Sequence, residues 1–254
     1  MTSEVSPKDR FVTVYGRKPV LEALTDYDLR VDKVILAEGL RGSIIDEIKE
    51  AAADRAVQVQ CASAHRVKVL AGNGRHDQGV LADVVARKMR PLSDALADPA
   101  HAPRTILLLD GLTTPANVGM ILRTATAAGI DGIVVPHRGV ASLDPLVIKA
   151  SAGVAFHAPV LRTRTAGEAA ELLTEAGYPL FALEASAEEN IFDADFGPRA
   201  VFVLGSETAG LSEDVQARVA RPLSIPMAGG VESLNVASAA AVLCFELLRR
   251  KLTS

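Results

Sequence analysis

The sequence predicts an α/β protein in two parts. A small alternating α/β domain comes first, and a larger domain with a mainly parallel sheet and helices on both faces follows. Three observations carry this expectation. From residue 105 onwards, short apolar runs alternate with helical patterns, the mark of successive β–α–β units. The run TILLL at 105–109 is apolar throughout, as expected of a strand covered on both faces. Between the two parts, Pro91, Pro99 and Pro103 interrupt the strand patterning and mark a linker. The boundaries read as 1–88 for the first domain, 89–103 for the linker and 104–254 for the second domain.

Taken in order, residues 1–10 are polar and read as a loose arm. FVTVYGRKPVLEAL at 11–24 opens with strand alternation, breaks at Gly16 and continues with helical spacing. Strands are expected over 31–36, 57–61 and 79–85, with helices over 43–55 and 64–70. Beyond the linker, strands are expected over 105–109, 132–135, 157–161, 179–183 and 200–204, with a strand end at 223–227. Helices fill 117–128, 144–150, 166–176 and 213–219, and a last one runs over 236–252. Ser233 and Asn235 suit the start of that last helix, because short polar side chains accept bonds from its free N–H groups. Arg249, Arg250 and Lys251 suit its negative end.

Composition narrows the class. The chain of 254 residues has 49% hydrophobic residues, enough for a sizeable core, but only 4% aromatics and no Trp. Leu, Val, Ile and Ala must therefore build the interior. No apolar run approaches the ~18 residues of a membrane span, and the opening MTSEVSPKDR lacks the apolar stretch of a secretory signal. Cys61 and Cys244 lie far apart and read as reduced core residues of a cytoplasmic protein. His76 has no second His or Cys at metal spacing, so no metal is expected. The net charge of −4 is unevenly spread: residues 1–90 carry 15 Lys and Arg against 13 Asp and Glu, and the remainder 12 against 18. The first domain is thus the better electrostatic partner for a polyanion.

Residues 225–250 draw attention as a possible ligand socket. A strand end, the turn Ala228-Gly229-Gly230 and a helix N-terminus together present backbone donors of the kind that suit a nucleotide-like ligand. An ordinary dinucleotide-binding domain shares the alternating pattern, but no G-x-G-x-x-G follows the first strand of the second domain. Two earlier stretches belong beside this one. DGLTTPANVGMILRTATAAG at 110–129 contains N-x-G-x-x-x-R with Asn117, Gly119 and Arg123. LGSETAGLS at 204–212 contains G-x-E-x-x-G with Gly205, Glu207 and Gly210. The third stretch supplies Ile225, Pro226 and Met227, then Ser233, Leu234 and Asn235.

In order and spacing these three stretches resemble the signature motifs of the SpoU (TrmH-like) family of RNA ribose 2′-O-methyltransferases, in the SPOUT superfamily. The resemblance covers roughly residue 104 to the end. A looser one, on Tyr15-Gly16, the following VLEAL and Gln78-Gly79-Val80, links the first domain to the substrate-binding domain of ribosomal members. The resemblance implies a trefoil knot at the C-terminal end, which general topology would exclude. It implies S-adenosylmethionine as methyl donor, held at Gly205, Ile225, Met227 and Leu234, and a homodimer paired through the knotted domain. It makes Asn117, Arg123, Glu207, Ser233 and Asn235 the catalytic candidates. A guanidinium stays ionised at ordinary pH, so Arg123 is expected to grip a phosphate beside the target ribose rather than to act as a base. Asn117 is expected to hold Arg123 or Glu207, and Glu207 to pair with Arg123 or cap a turn. Arg17, Lys18, Arg66, Lys68, Arg75 and His76 are candidate RNA contacts. The expected substrate is large-subunit rRNA; a tRNA enzyme and a catalytically silent ribosome-assembly factor are the alternatives. Ala116, Ser206 and Asp77 depart from the usual pattern of the family.

Overall fold

The structure, a computed structural model, describes residues 9–71 and 77–253. Arg75 and His76, and all but the end of the polar arm 1–10, lie outside the described residues.

The first domain contains β1 (Phe11–Tyr15), α1 (Arg17–Thr25), β2 (Val31–Ala37), α2 (Ser43–Asp54), β3 (Gln58–Ala62), α3 (Ala64–Ala71) and β4 (Val80–Val85). Its sheet runs β1-β4-β2-β3, with β4 antiparallel to both neighbours and β2 parallel to β3. Val12 and Val14 of β1 are buried, as strand alternation requires. Val20 and Leu24 of α1, and Ile45, Ile48 and Ala52 of α2, are buried at helical spacing. Strand β3 is an edge strand whose residues are nearly all exposed, and Cys61 lies on it. The expectation of two core cysteines thus fails for Cys61. Cys244 is buried, and burial pushes its thiol up to about 12.

The second domain follows with β5 (Arg90–Pro91), α4 (Leu92–Leu96), β6 (Thr105–Leu109), α5 (Pro115–Ala127), β7 (Gly132–Val134), α6 (Pro145–Ala150), β8 (Val160–Arg162), α7 (Ala166–Glu175), β9 (Leu180–Leu183), β10 (Ala200–Leu204), α8 (Glu213–Gln216), β11 (Val219–Leu223) and α9 (Val236–Thr253). Seven strands form one sheet in the order β11-β9-β10-β6-β7-β8-β5, and every described pair is parallel. Strand β6 shows why its run is apolar throughout. Ile106 and Leu108 pack on the face covered by α4 and α7. Leu107 and Leu109 pack on the other, under α5 and α9. The few aromatics are concentrated: Phe181, Phe196 and Phe202 meet with ring centroids 4.9–5.6 Å apart.

Two sequence expectations are corrected near the end of the chain. The helix expected over 213–219 stops at Gln216, and the strand expected at 223–227 lies at Val219–Leu223. Proline in an edge strand is tolerated because its missing N–H faces outward, and Pro222 sits in the edge strand β11. Arg221 holds that strand in place through Glu189, the Asp195 carbonyl and the Phe181 ring.

Helix α9 carries a buried charge. The hydrogen bond from Arg249, supported by Arg250, holds the Glu246 carboxyl down at about 2. Arg250 also donates to the Ala194 and Ile191 carbonyls. Hydrogen bonds among the described residues tie the two parts of the chain. Tyr15 Oη donates to Asp144 Oδ2 at 3.3 Å. His137 Nε2 meets Asp9 Oδ1 at 2.7 Å while Arg162 Nη2 contacts His137 Nδ1 at 2.6 Å.

Candidate active site

The three sequence motifs begin at C-terminal ends of parallel strands. Strands β6 and β10 are neighbours in register, with Leu109 opposite Leu204. Beyond them Asp110 N donates to Leu204 O at 2.9 Å, so the first two motifs leave the sheet side by side. From β6 the chain proceeds to β7 and β8 on one side, while β9 and β10 lie on the other. Open α/β sheets bind ligands at such a reversal, outside the carboxyl ends of the strands.

Asp110 was not singled out by sequence, yet it joins the two motifs. It is buried, and its Oδ2 accepts from Ser212 N at 2.6 Å. The next residue, Gly111, has φ +70°, and a Cβ there would lie 3.2 Å from Ser206 Cβ. An Asp-Gly directly after an apolar strand is the signal that could have marked this close approach. Gly205 is similarly confined: a Cβ would meet Leu211 Cδ2 at 2.7 Å and the Gly210 backbone at 3.0 Å. Residues 206–210 fold back as a tight loop, with paired backbone bonds between Ser206 and Gly210. The departure at Ser206 therefore leaves this loop intact.

One hydrogen-bond cluster brings all three motifs together. Asn235 Nδ2 donates to Asn117 Oδ1 at 3.1 Å and to Glu207 Oε1 at 2.8 Å. Glu207 Oε1 also accepts from Val236 N at 3.0 Å, and Asn235 Oδ1 accepts from Ala237 N at 2.9 Å. Asn235 and Glu207 thereby satisfy two of the free N–H groups at the start of α9. Asn117 is buried on α5, whereas Glu207 and Asn235 are exposed.

Arg123 is not part of this cluster. It lies on the outer face of α5 and makes no hydrogen bond or ion pair among the described residues. The pairings expected between Arg123 and Asn117 or Glu207 are not formed: Arg123 is exposed on α5, whereas buried Asn117 and exposed Glu207 meet at Asn235. Gly119 has a packing role. A Cβ there would lie 2.5 Å from Ala150 Cβ and 2.7 Å from Val147 O, so only glycine lets α5 approach α6 this closely.

The third motif lies open. Ile225 packs partly against the core, while Met227, Ser233 and Leu234 are exposed. Gly229 and Gly230 both have positive φ and turn the segment. Between residues 225 and 235 the backbone donors make a single described bond to another backbone group, from Val231 N to Ala228 O at 3.5 Å. Among the described residues no group of three or more His, Cys, Asp or Glu is placed to hold a metal. No helix among them is long and apolar enough to cross a membrane.

Together the parallel sheet, the confined glycine at the end of β10 and the cross-linked motifs define an α/β protein whose candidate site lies at its strand ends. Comparison with known proteins names the family. The model of the SpoU rRNA methylase family matches residues 104–245, and that of the RNA 2′-O-ribose methyltransferase substrate-binding domain matches residues 13–90. The chain belongs to the SpoU family of RNA 2′-O-ribose methyltransferases. A relative from Staphylococcus saprophyticus, assigned to the TrmH family of tRNA/rRNA methyltransferases, is 31% identical over 242 residues, 94% of this chain and 96% of its own. The structure of a protein from Porphyromonas gingivalis, assigned as a TrmH-family RNA methyltransferase, aligns with TM-score 0.63 at 27% identity, over 96% of this chain and 91% of that one. The AdoMet-bound rRNA methyltransferase of Sinorhizobium meliloti shares the fold, with TM-score 0.64 at 23% identity, over 97% and 89% of the two chains.

Proposed function

We propose that this protein transfers a methyl group from S-adenosylmethionine to a ribose 2′-oxygen of large-subunit rRNA. The cluster joining Asn117, Glu207 and Asn235 carries the reading. It fixes three distant stretches of sequence around the C-terminal ends of β6 and β10, where a ligand is expected. The donor fits the residues present. Backbone groups of 225–235 are open to bond a polar edge, and Ile225, Met227 and Leu234 offer apolar surface for an adenine. Gly205 keeps the neighbouring strand end free of a side chain. We read the segment after β11 as the crossing of a trefoil knot, which would fix that donor pocket. When bound, S-adenosylmethionine supplies an electrophilic methyl on its sulfonium.

In this reading Asn117, Glu207 and Asn235 hold the site in shape, and Ser233 lies open to the ribose. Arg123 has its guanidinium exposed, and a planar fork of donors suits a phosphate beside the target ribose. Alignment of that kind is worth a large factor, since small misplacements of a reacting group cost about 100-fold. The presence of the substrate-binding domain favours rRNA over tRNA, because tRNA-specific members of the family typically lack it. The enzyme then acts where ribosomal RNA is, in the cytoplasm.

The same reading makes the protein a homodimer. Met120 and Arg123 share the outer face of α5, and Phe245 and Leu252 stand exposed on the adjoining α9. A second copy covering this face would bring Arg123 towards the partner's donor pocket.

The test is Arg123→Ala. Methyl transfer to rRNA should fall by about 100-fold or more, while donor affinity measured by calorimetry stays within a few-fold. Arg123→Lys should also be poor, because an ammonium lacks the two-pronged contact. Collapse of donor binding in a folded Arg123→Ala protein would overturn this assignment.

A further inference from the structure

A cleft of about 1000 Å³ opens between the two domains, and none of the residues Asn117, Glu207 and Asn235 lines it. Pro19 and Ile44 of the first domain line it on one side, and Leu146 at the start of α6 lines it on the other. Leu146 is 56% exposed, a large apolar side chain left open on the cleft wall. Beside these surfaces stand Arg17, Lys18 and Gln78. Apolar walls with a cationic rim fit a ligand that combines a flat apolar body with a negative charge.

Arg17 adds a more specific indication. Its Nε is buried and has no hydrogen-bond partner. Buried donors are nearly always bonded in native proteins, so one left over calls for an explanation. Neighbouring groups are positioned rather than loose. Arg17 N donates to Gln78 Oε1 at 3.1 Å, which leaves the Gln78 amide N–H groups without a partner among the described residues. Gly16, at φ +96°, and Gln78, at φ +50°, hold conformations that most residues avoid. Tyr15, also on the cleft, reaches across the domain boundary to Asp144. Tyr15, Gly16 and Gln78, which drew attention in the sequence, thus converge on this cleft.

We propose that the cleft takes one unpaired nucleotide of the substrate RNA, its base against Leu146, Pro19 and Ile44 and its phosphate on Arg17 and Lys18. Sequence-specific RNA recognition mostly targets unpaired nucleotides whose bases can be splayed out of the strand, and Leu146, Pro19 and Ile44 offer apolar surface for such a base. The position suits this role. Helix α6, which carries Leu146, packs through Val147 O and Ala150 against Gly119 of α5, the helix that bears Arg123. Packed helices lie about 8–10 Å apart, so an RNA strand held in the cleft lies one helix away from α5. This inference rests on the methyltransferase reading above.

The experiment uses the full chain and two fluorescent RNA probes, a short unpaired oligoribonucleotide and the same sequence in a complete duplex. Arg17→Gln and Leu146→Glu are compared with wild type by anisotropy. Each substitution should weaken binding of the unpaired probe by about tenfold and leave duplex binding unchanged. Arg17→Gln should also reduce the salt dependence of binding by about one counterion. Both variants should retain S-adenosylmethionine affinity, which shows that the fold is intact. Should Arg17→Gln fail to fold, Leu146→Glu alters only an exposed side chain and decides the matter. Wild-type affinity for the unpaired probe in a folded Leu146→Glu protein, or equal binding of duplex and single strand by wild type, would overturn the proposal. If wild type methylates rRNA and the cleft variants are neutral, only the cleft assignment falls. If wild type neither binds donor nor transfers methyl, the functional reading falls with it.

Discussion

Asn235 uses both ends of one side-chain amide. Its oxygen caps α9 at Ala237 N, and its nitrogen bridges Asn117 and Glu207. Sequence alone left it between a helix cap and a group touching the ribose, and the structure realises the cap. Glu207 illustrates the same limit. Sequence left its carboxylate between an ion pair with Arg123 and a backbone cap, and the free N–H of Val236 and the Asn235 amide claim it, so the capping alternative is the one realised. Which donor wins depends on where α9 begins in space, and spacing along the chain does not contain that. Substitution can separate the two functions of Asn235. Asn235→Asp keeps an oxygen for Ala237 N but places a carboxylate where Nδ2 faced Glu207 Oε1 and Asn117 Oδ1. Loss of the bridging bonds and the new repulsion should destabilise the protein by about 1–3 kcal/mol at neutral pH. Repulsion raises the folded-state pKa of the new carboxyl. The deficit should therefore shrink as pH falls through that value and the group becomes protonated. Thermal melting of both proteins between neutral and mildly acidic pH checks this, and a variant as stable as wild type at neutral pH would refute the bridge.

Among the elements, the strands and helices with strong apolar periodicity were legible, because burial on one or both faces dictates that pattern. TILLL at β6 is the clearest case, with alternate residues going to opposite cores. Strand β11 was misplaced because its residues VARPL include Arg221 and Pro222 and are mostly exposed at a sheet edge. Strand β5 has two residues, too few to leave a period, although it extends the sheet beyond β8. Helix α5 was legible, but the reason for its Gly119 was not, since it depends on a neighbour 28 or more residues away. This gives a prediction of unusual sign. An interior helical Gly→Ala change ordinarily stabilises by about 1 kcal/mol. At Gly119 the added methyl would meet Ala150 Cβ at 2.5 Å, Val147 O at 2.7 Å and Ser151 N at 2.9 Å, two of them backbone atoms that cannot rotate away. Gly119→Ala should therefore cost about 1–3 kcal/mol, seen as a lower urea midpoint with unchanged slope. A stabilised variant would mean that α5 and α6 do not pack as described.

At the scale of the whole molecule, the exposed apolar face is the feature that a single chain leaves unexplained. Helix α9 buries one side against α5 and the sheet. Phe245 remains 50% exposed and Leu252 78%, with Met120 of α5 at 42%. Exposed large apolar side chains on two adjoining helices suit an interaction surface where they form one patch. Arg123 lies on the same face of α5 as Met120, so covering this surface with a second copy would also enclose the guanidinium. Each active site would then be composite, with Arg123 from one chain and the donor pocket from the other. Two inactive variants should complement each other if this is so. On the proposed assignment, Arg123→Ala would remove the phosphate grip and Leu234→Glu would damage the donor pocket. Random pairing on co-expression makes half of the dimers mixed, and each mixed dimer retains one intact composite site. About a quarter of wild-type activity should return. Co-expression is preferable to mixing purified proteins, because it does not depend on subunit exchange. Sedimentation showing only monomer at micromolar concentration would end the proposal. A dimer without complementation would keep the interface but place each complete site within one chain.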